Sequence, residues 1–220
     1  MATNPKGTFH RELEKLQDQV LILGSLVGDA LVSSVTFLKK RDLAGSKRLI
    51  ERDQMINEKR FDIEEQTLAL IALHQPVARD LRTLGAILEV ATELERIGDY
   101  AKGIGKINLL IGEDPLIKPL VDLPLMADKA YAMLQHALQA FVSRDLDAAR
   151  AVPAEDDEVD GLYNQVYREL ITYILSEPSS IEQANYLLWA AHNLERAADR
   201  VSNICERTVF TATGEMSELD

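Results

Sequence analysis

Apolar residues recur every three or four positions along most of the chain. Leu13, Leu16, Val20, Leu23, Val27, Leu31, Val35 and Leu38 form one such stripe, which predicts an amphipathic helix from about Phe9 to Lys40. Asp42 supplies an N-cap for a second helix reaching about Leu73, where His74-Gln75-Pro76 breaks the pattern. A third helix, from about Val77 to Ile111, carries Leu81, Leu84, Leu88 and Ala91 on one stripe. Gly112-Glu113-Asp114-Pro115 ends it, and Pro119 and Pro124 mark a connection. A fourth helix is expected from about Leu125 to Ser143. A fifth runs from Asp145 to about Ser176, with a disturbance at Pro153, and Glu177-Pro178 stops it. Ser179-Ser180-Ile181-Glu182-Gln183 fits a capping box in either register, and a sixth helix continues from there to about Thr211.

The order of these signals repeats. Arg41-Asp42-Leu43 opens the second helix and Arg144-Asp145-Leu146 the fifth, an offset of 103 residues. Glu95-Arg96-Ile97-Gly98-Asp99 lies in the third helix and Glu195-Arg196-Ala197-Ala198-Asp199 in the sixth, an offset of 100. Ile87 with Leu187, Leu94 with Leu194 and Ile104 with Ile204 keep the same spacing. An internal duplication follows. Three antiparallel helices can bury a core of their own, so the expected fold is all-α, two tandem three-helix bundles built from six long helices. The divisions are residues 8–112 for the first bundle, 113–124 for a linker, 125–212 for the second bundle and 213–220 for a flexible tail. Helices of some 30 residues are about 45 Å long, which makes the molecule elongated.

Composition agrees with long helices, since Gly and Pro together supply only 18 of 220 residues. The net charge of −12 argues against a nucleic-acid binder or an anionic-membrane binder. Its distribution is more informative. Residues 1–110 hold sixteen basic and sixteen acidic side chains, whereas residues 111–220 hold eight and twenty. One cysteine, Cys205, excludes an intrachain disulfide and a cysteine-rich zinc site. The opening residues from Met1 lead into Glu12, Glu14 and Lys15 without an apolar core segment, so no signal peptide is expected. Apolar runs such as Leu68–Leu73 fall far short of the roughly 18 residues a membrane span needs. A cytoplasmic protein is the expectation.

Each repeat carries carboxylates at i and i+4, Glu95 with Asp99 and Glu195 with Asp199, which places each pair on one helix face about 6 Å apart. In the preceding helices Asp53 and Asn57 match Asp156 and Asp160 at the offset of 103. A solvated face with intrahelical ion pairs, Arg96 to Asp99 and Arg196 to Asp199, is one reading. Against it, the pairs recur at matching places, and Glu95 extends the apolar progression through Leu84, Leu88 and Ala91 toward the bundle seam. Carboxylates gathered there are costly unless cations neutralise them. With no histidine or cysteine at ligand spacing, hard divalent or trivalent cations are the natural partners.

Two repeats carrying Leu94-Glu95-Arg96-Ile97-Gly98-Asp99 and Leu194-Glu195-Arg196-Ala197-Ala198-Asp199, with Arg79-Asp80-Leu81-Arg82 ahead of the first, resemble the PhoU family over residues 9–210. That resemblance implies a cytoplasmic, non-enzymatic, metal-binding regulator of phosphate uptake. Its partners would be the ATPase of the phosphate ABC transporter and a sensor histidine kinase, and it would repress the phosphate-starvation response when phosphate is plentiful. Membrane association would come through those partners only, and a homodimer is expected. Carried over residue by residue, the implied metal ligands are Asp53, Glu95 and Asp99 in the first bundle. In the second they are Asp156, Asp160, Glu195 and Asp199. The metal would be Fe, Zn, Mn or Mg. Asn57 removes one anionic ligand, so the second bundle is expected to bind more tightly. Ser179-Ser180-Ile181-Glu182 stands where a second RDLR would fall, which leaves Arg79 and Arg82 of the first bundle for a protein partner.

His192 precedes Glu195 by three residues, the reverse of the E-x-x-H order of di-iron bundles, and is read as structural. His10, His74 and His136 are isolated. Glu155, Asp157 and Glu158 suit a solvated helix start, and Trp189 suits a core or a dimer interface. No G-x-x-x-x-G-K-[ST], G-x-S-x-G or H-E-x-x-H motif is present. A carboxylate-bridged metal enzyme and a metal-free helical scaffold remain as alternatives.

Overall fold

A computed structural model describes residues 5–219, so Met1–Asn4 of the opening segment and Asp220 of the tail lie outside it. Among the described residues there is no strand. The α-helices are α1 (Pro5–Lys40), α2 (Leu43–His74), α3 (Ala78–Ile111), α4 (Asp122–Ser143), α5 (Leu146–Ala151), α6 (Asp156–Ser176) and α7 (Ile181–Thr213). A 3-10 turn, Val152–Glu155, joins α5 to α6, and together they occupy the place of the fifth rod. Pro153 explains the break, because it has no N–H to give to the helical ladder.

Helices α1, α2 and α3 pack on one another, as do α4, α6 and α7, giving two bundles. They share one continuous core. The most extensive helix contact in the molecule is α3 against α7, and α1 lies against α4. Pairs such as Glu93 with Arg200, Glu89 with Arg207 and Gly103 with Asn193 show that α3 and α7 run antiparallel. On α1 the close approach to α4 needs a missing side chain, since a Cβ at Gly24 would overlap the buried Leu138.

Both first connections use the same device. Arg41 and Arg144 take left-handed backbone angles, with φ of 56° and 57°, and end the preceding helix. Asp42 then accepts the Gly45 N–H at 2.7 Å, while Asp145 accepts the N–H groups of Asp147 and Ala148. In the first bundle the turn is clamped further. Asn108 of α3, fully buried, donates to Ser46 Oγ at 2.8 Å, and its side-chain oxygen accepts from the Arg41 guanidinium.

Three points differ from the sequence reading. Helix α4 begins at Asp122 rather than near Leu125, because Pro124 falls in its first turn, where a missing N–H costs nothing. The capping box before α7 does not form. Pro178–Ser180 make a 3-10 turn instead, Ser180 Oγ donates to the Glu177 carbonyl at 2.7 Å, and Ser179 Oγ donates to the Glu177 carboxylate. Helix α1, contrary to the expectation that no segment is long enough, is long and apolar enough by length and composition to cross a membrane. Val20, Leu23, Val27, Leu31, Val35 and Leu38 are instead all buried in the bundle core.

The linker is fixed rather than loose. Gln183 of α7 accepts the Ile117 N–H at 2.5 Å and donates to the Pro115 carbonyl at 3.0 Å. Buried Lys118 pairs with Glu169 of α6. Beyond α7, Leu219 packs on the core and its N–H reaches Glu206 at 3.3 Å. Arg82 packs over Gly214 at that end, while Arg79 stays exposed. Trp189 is not in the core: it is 51% exposed, edge-on to Tyr186.

Replacing Asn108 by Ala removes the partner of the buried Ser46 hydroxyl and leaves the Arg41 guanidinium with the Gly112 carbonyl alone, and a lost buried polar partner costs about 1–3 kcal/mol. The expected result is a lower urea midpoint with unchanged slope for Asn108→Ala. An unchanged midpoint would show that the clamp does not hold the turn.

Candidate functional site

The duplicated helix pairs bring the seven carboxylates into two clusters. In the first, α2 carries Asp53 and α3 carries Glu95 and Asp99. In the second, α6 carries Asp156 and Asp160 and α7 carries Glu195 and Asp199. Among the described residues, no three His, Cys, Asp or Glu side chains close on a point in the manner of ligands around an ion.

In the second cluster burial comes first and like charge second. Asp156 is pushed up to about 7 by desolvation and then by the fields of Asp160, Asp199 and Glu195. Glu195 and Asp160 are raised for the same reasons, desolvation ahead of Asp199. Two oxygens, Asp156 Oδ1 and Glu195 Oε2, are buried without a hydrogen-bond partner. Only Asp199 has a geometrically sound cation, Arg196 at 3.0 Å. His192 Nδ1 lies 3.1 Å from Glu195 Oε2 but out of line for a hydrogen bond. Orphaned, buried carboxylate oxygens in a hard donor set fit a hard metal ion. The four second-cluster residues would hold it, and the ion would supply the missing positive charge.

The first cluster is arranged differently. Asp53 is 5% exposed, and its Oδ2 accepts from Lys102 Nζ at 2.5 Å and from Asn57 Nδ2 at 3.4 Å. Lys102 Nζ is also 3.5 Å from Asp99 Oδ1. Glu95 is raised by burial and by Asp99, while Arg60 opposes the rise. The one buried orphan here is a neutral amide oxygen, Asn57 Oδ1. Arg96 turns away from Asp99 and donates to Glu93 at 2.6 Å, unlike Arg196. Asp53, the buried carboxylate of the first cluster, is therefore already paired with a cation, and the cluster does not fit a metal ion as the second does.

Lys102 and Arg60 are the residues that sequence reasoning passed over. Lys102 is legible as i+3 from Asp99, but its bond to Asp53 crosses from α3 to α2. His192, set aside as structural, stands at the rim of the second cluster, its ring 6.2 Å from Tyr163. Of the acidic run, Glu155 meets His136 at 3.0 Å, Glu158 meets Lys129 and Asp157 is exposed, while Asp156 lies among the second-cluster carboxylates. Cys205 is buried, and burial pushes its thiol up to about 12, so it offers no thiolate.

The PhoU domain matches the chain twice, over residues 20–107 and 123–208. A phosphate-specific transport system accessory protein PhoU homolog of Clostridium acetobutylicum is 34% identical over 216 residues, covering 96% of this chain and 97% of that protein. The homolog of Aquifex aeolicus is 34% identical over 206 residues, covering 94% and 93%. The crystal structure of PhoU from Pseudomonas aeruginosa superposes with a TM-score of 0.88 at 31% identity, covering 94% of this chain and all of that one. That of the phosphate transport system regulatory protein PhoU from Streptococcus pneumoniae also gives 0.88, at 32% identity, covering 96% and 100%.

Because Asp156 is raised from 3.8 in the folded chain, its contribution is most favourable at low pH and is lost as pH rises toward 7. In chelator-treated protein, Asp156→Asn is expected to stabilise the fold at pH 8. The gain, screened by the solvent reaching the site, is on the order of 1–2 kcal/mol. It shrinks as pH falls to 5. Thermal unfolding of both proteins across this range checks it, and a gain independent of pH would contradict the assignment.

Proposed function

The chain belongs to the PhoU family, and from that premise we propose that it is a non-enzymatic accessory and regulatory protein of a phosphate-specific transport system. It acts in the cytoplasm by docking on the transporter ATPase and on a sensor histidine kinase, and it represses the starvation response when phosphate is plentiful. The observation that carries this reading is the match of both repeats to the family over nearly the whole chain, with relatives of almost equal length named as accessory proteins. The absence of a motif for nucleotide or ester chemistry in the sequence and the inert burial of Cys205 support a role by binding rather than turnover.

The second carboxylate cluster gives this regulator a point of control. Asp156, Asp160, Glu195 and Asp199 join α6 to α7, so a cation there ties the two helices by charge neutralisation. A metal that binds the folded state alone stabilises it by about 2.7 kcal/mol at a hundred times its dissociation constant.

Two measurements test these statements separately. Deleting the gene is expected to raise phosphate uptake in phosphate-replete cells, and the purified protein is expected to capture the transporter ATPase in a pull-down. Unchanged uptake together with no capture would sink the regulatory reading. For the cluster, Mn2+ is expected to raise the melting temperature of chelator-stripped protein, and an Asp160→Asn, Asp199→Asn variant is expected to lose that rise. A rise that survives in the variant would place the cation elsewhere.

A further inference from the structure

We propose that the first carboxylate cluster is closed by a cation the chain itself supplies, the ammonium of Lys102, so that the molecule holds one metal-dependent and one metal-independent copy of the same helix clamp. The inference rests on the reading of the second cluster as a cation site.

The geometry is that of a bridging ion. Lys102 Nζ stands 2.5 Å from Oδ2 of the buried Asp53 on α2 and 3.5 Å from Oδ1 of Asp99 on α3. It thus spans the same two helices, and the same pair of positions, as Asp156 and Asp199 in the second repeat. The Asp53 carboxylate is buried and paired, whereas the matching Asp156 is left with an unpartnered buried oxygen.

Three exchanges between the repeats act in one direction. At the position of Lys102 the second repeat has Ser202, a neutral side chain. At the position of Asn57 it has Asp160, one carboxylate more. At the position of Arg60 it has Tyr163, a phenol in place of a guanidinium. In the first cluster Lys102 therefore stands between two of the three carboxylates, whereas in the second Arg196 pairs with Asp199 at the edge and His192 stands beside Glu195, with no cation at Asp156. A metal ion entering the first cluster meets an ammonium already at Asp53 and is repelled by it.

The closing experiment uses the full chain, stripped with chelator and titrated with Mn2+ by calorimetry and by equilibrium dialysis with metal analysis. Wild type is expected to lose its bound metal in the Asp160→Asn, Asp199→Asn variant and to keep it in Asp53→Asn. Lys102→Ser, which installs the residue of the second repeat, is expected to raise the metal bound per chain to roughly twice that of wild type. It should also melt lower than wild type in chelator and recover when Mn2+ is added. Lys102→Gln serves as the second variant, and far-UV circular dichroism confirms that each is folded. Loss of half the metal in Asp53→Asn, or no added metal in either folded Lys102 variant, overturns the proposal. Binding in the Lys102 variants with none in wild type overturns the contrast between the two copies, because the second cluster then holds no cation. No binding in any protein defeats both.

Discussion

The antiparallel contact of α3 along α7 is the interaction on which the rest of the structure depends, because both bundles are built around one of these two helices. Glu93 meets Arg200 and Asn203 across it, and Glu89 meets Arg207, so the ionic groups of the contact lie on its flanks. Both helices carry small side chains that are fully buried, Ala101 on α3 and Ala190, Ala197 and Ala198 on α7. Small side chains let two backbones approach closely, and dense packing of this kind tolerates little change in volume. The same helices then turn their carboxylates outward to α2 and α6. The contact thus fixes where both clusters stand, without taking part in either.

On that symmetrical frame the charge is unsymmetrical. The neutral half of the chain is not neutral by lacking carboxylates, since it has as many acidic groups as basic ones. It is neutral because its acids are answered from within, Asp53 by Lys102 and Glu64 by Arg60. In the other half the acids that bear on Asp156 outnumber the cations within reach, and burial lifts their proton affinity. Duplication supplied two copies of one scaffold, and a few substitutions decide which copy holds an unmet electrostatic demand.

Much of this was legible in the sequence, for identifiable reasons. Apolar periodicity located the helices because each buries one face, and the repeat fixed the pairing of positions because the two halves keep a single register. Asp42 and Asp145 act as N-caps as their spacing implies. What escaped lies between helices or in competing local bonds. Lys102 next to Asp99 looks like an ordinary surface pair, and only its position opposite Asp53 gives it meaning. The Ser179–Gln183 box had the right residues, but Pro178 and the Glu177 carbonyl offered Ser180 a closer partner. Helix α1 is apolar enough to be mistaken for a membrane segment, and the close approach at Gly24 shows that its face belongs to α4.

The stapled linker has a mechanical consequence. Gln183 and Lys118 fasten the connection to α7 and α6 at once, so the two bundles are not beads on a string. With no slack in the connection and a shared core behind it, a push on one bundle passes along α3 and α7 as along a rigid lever.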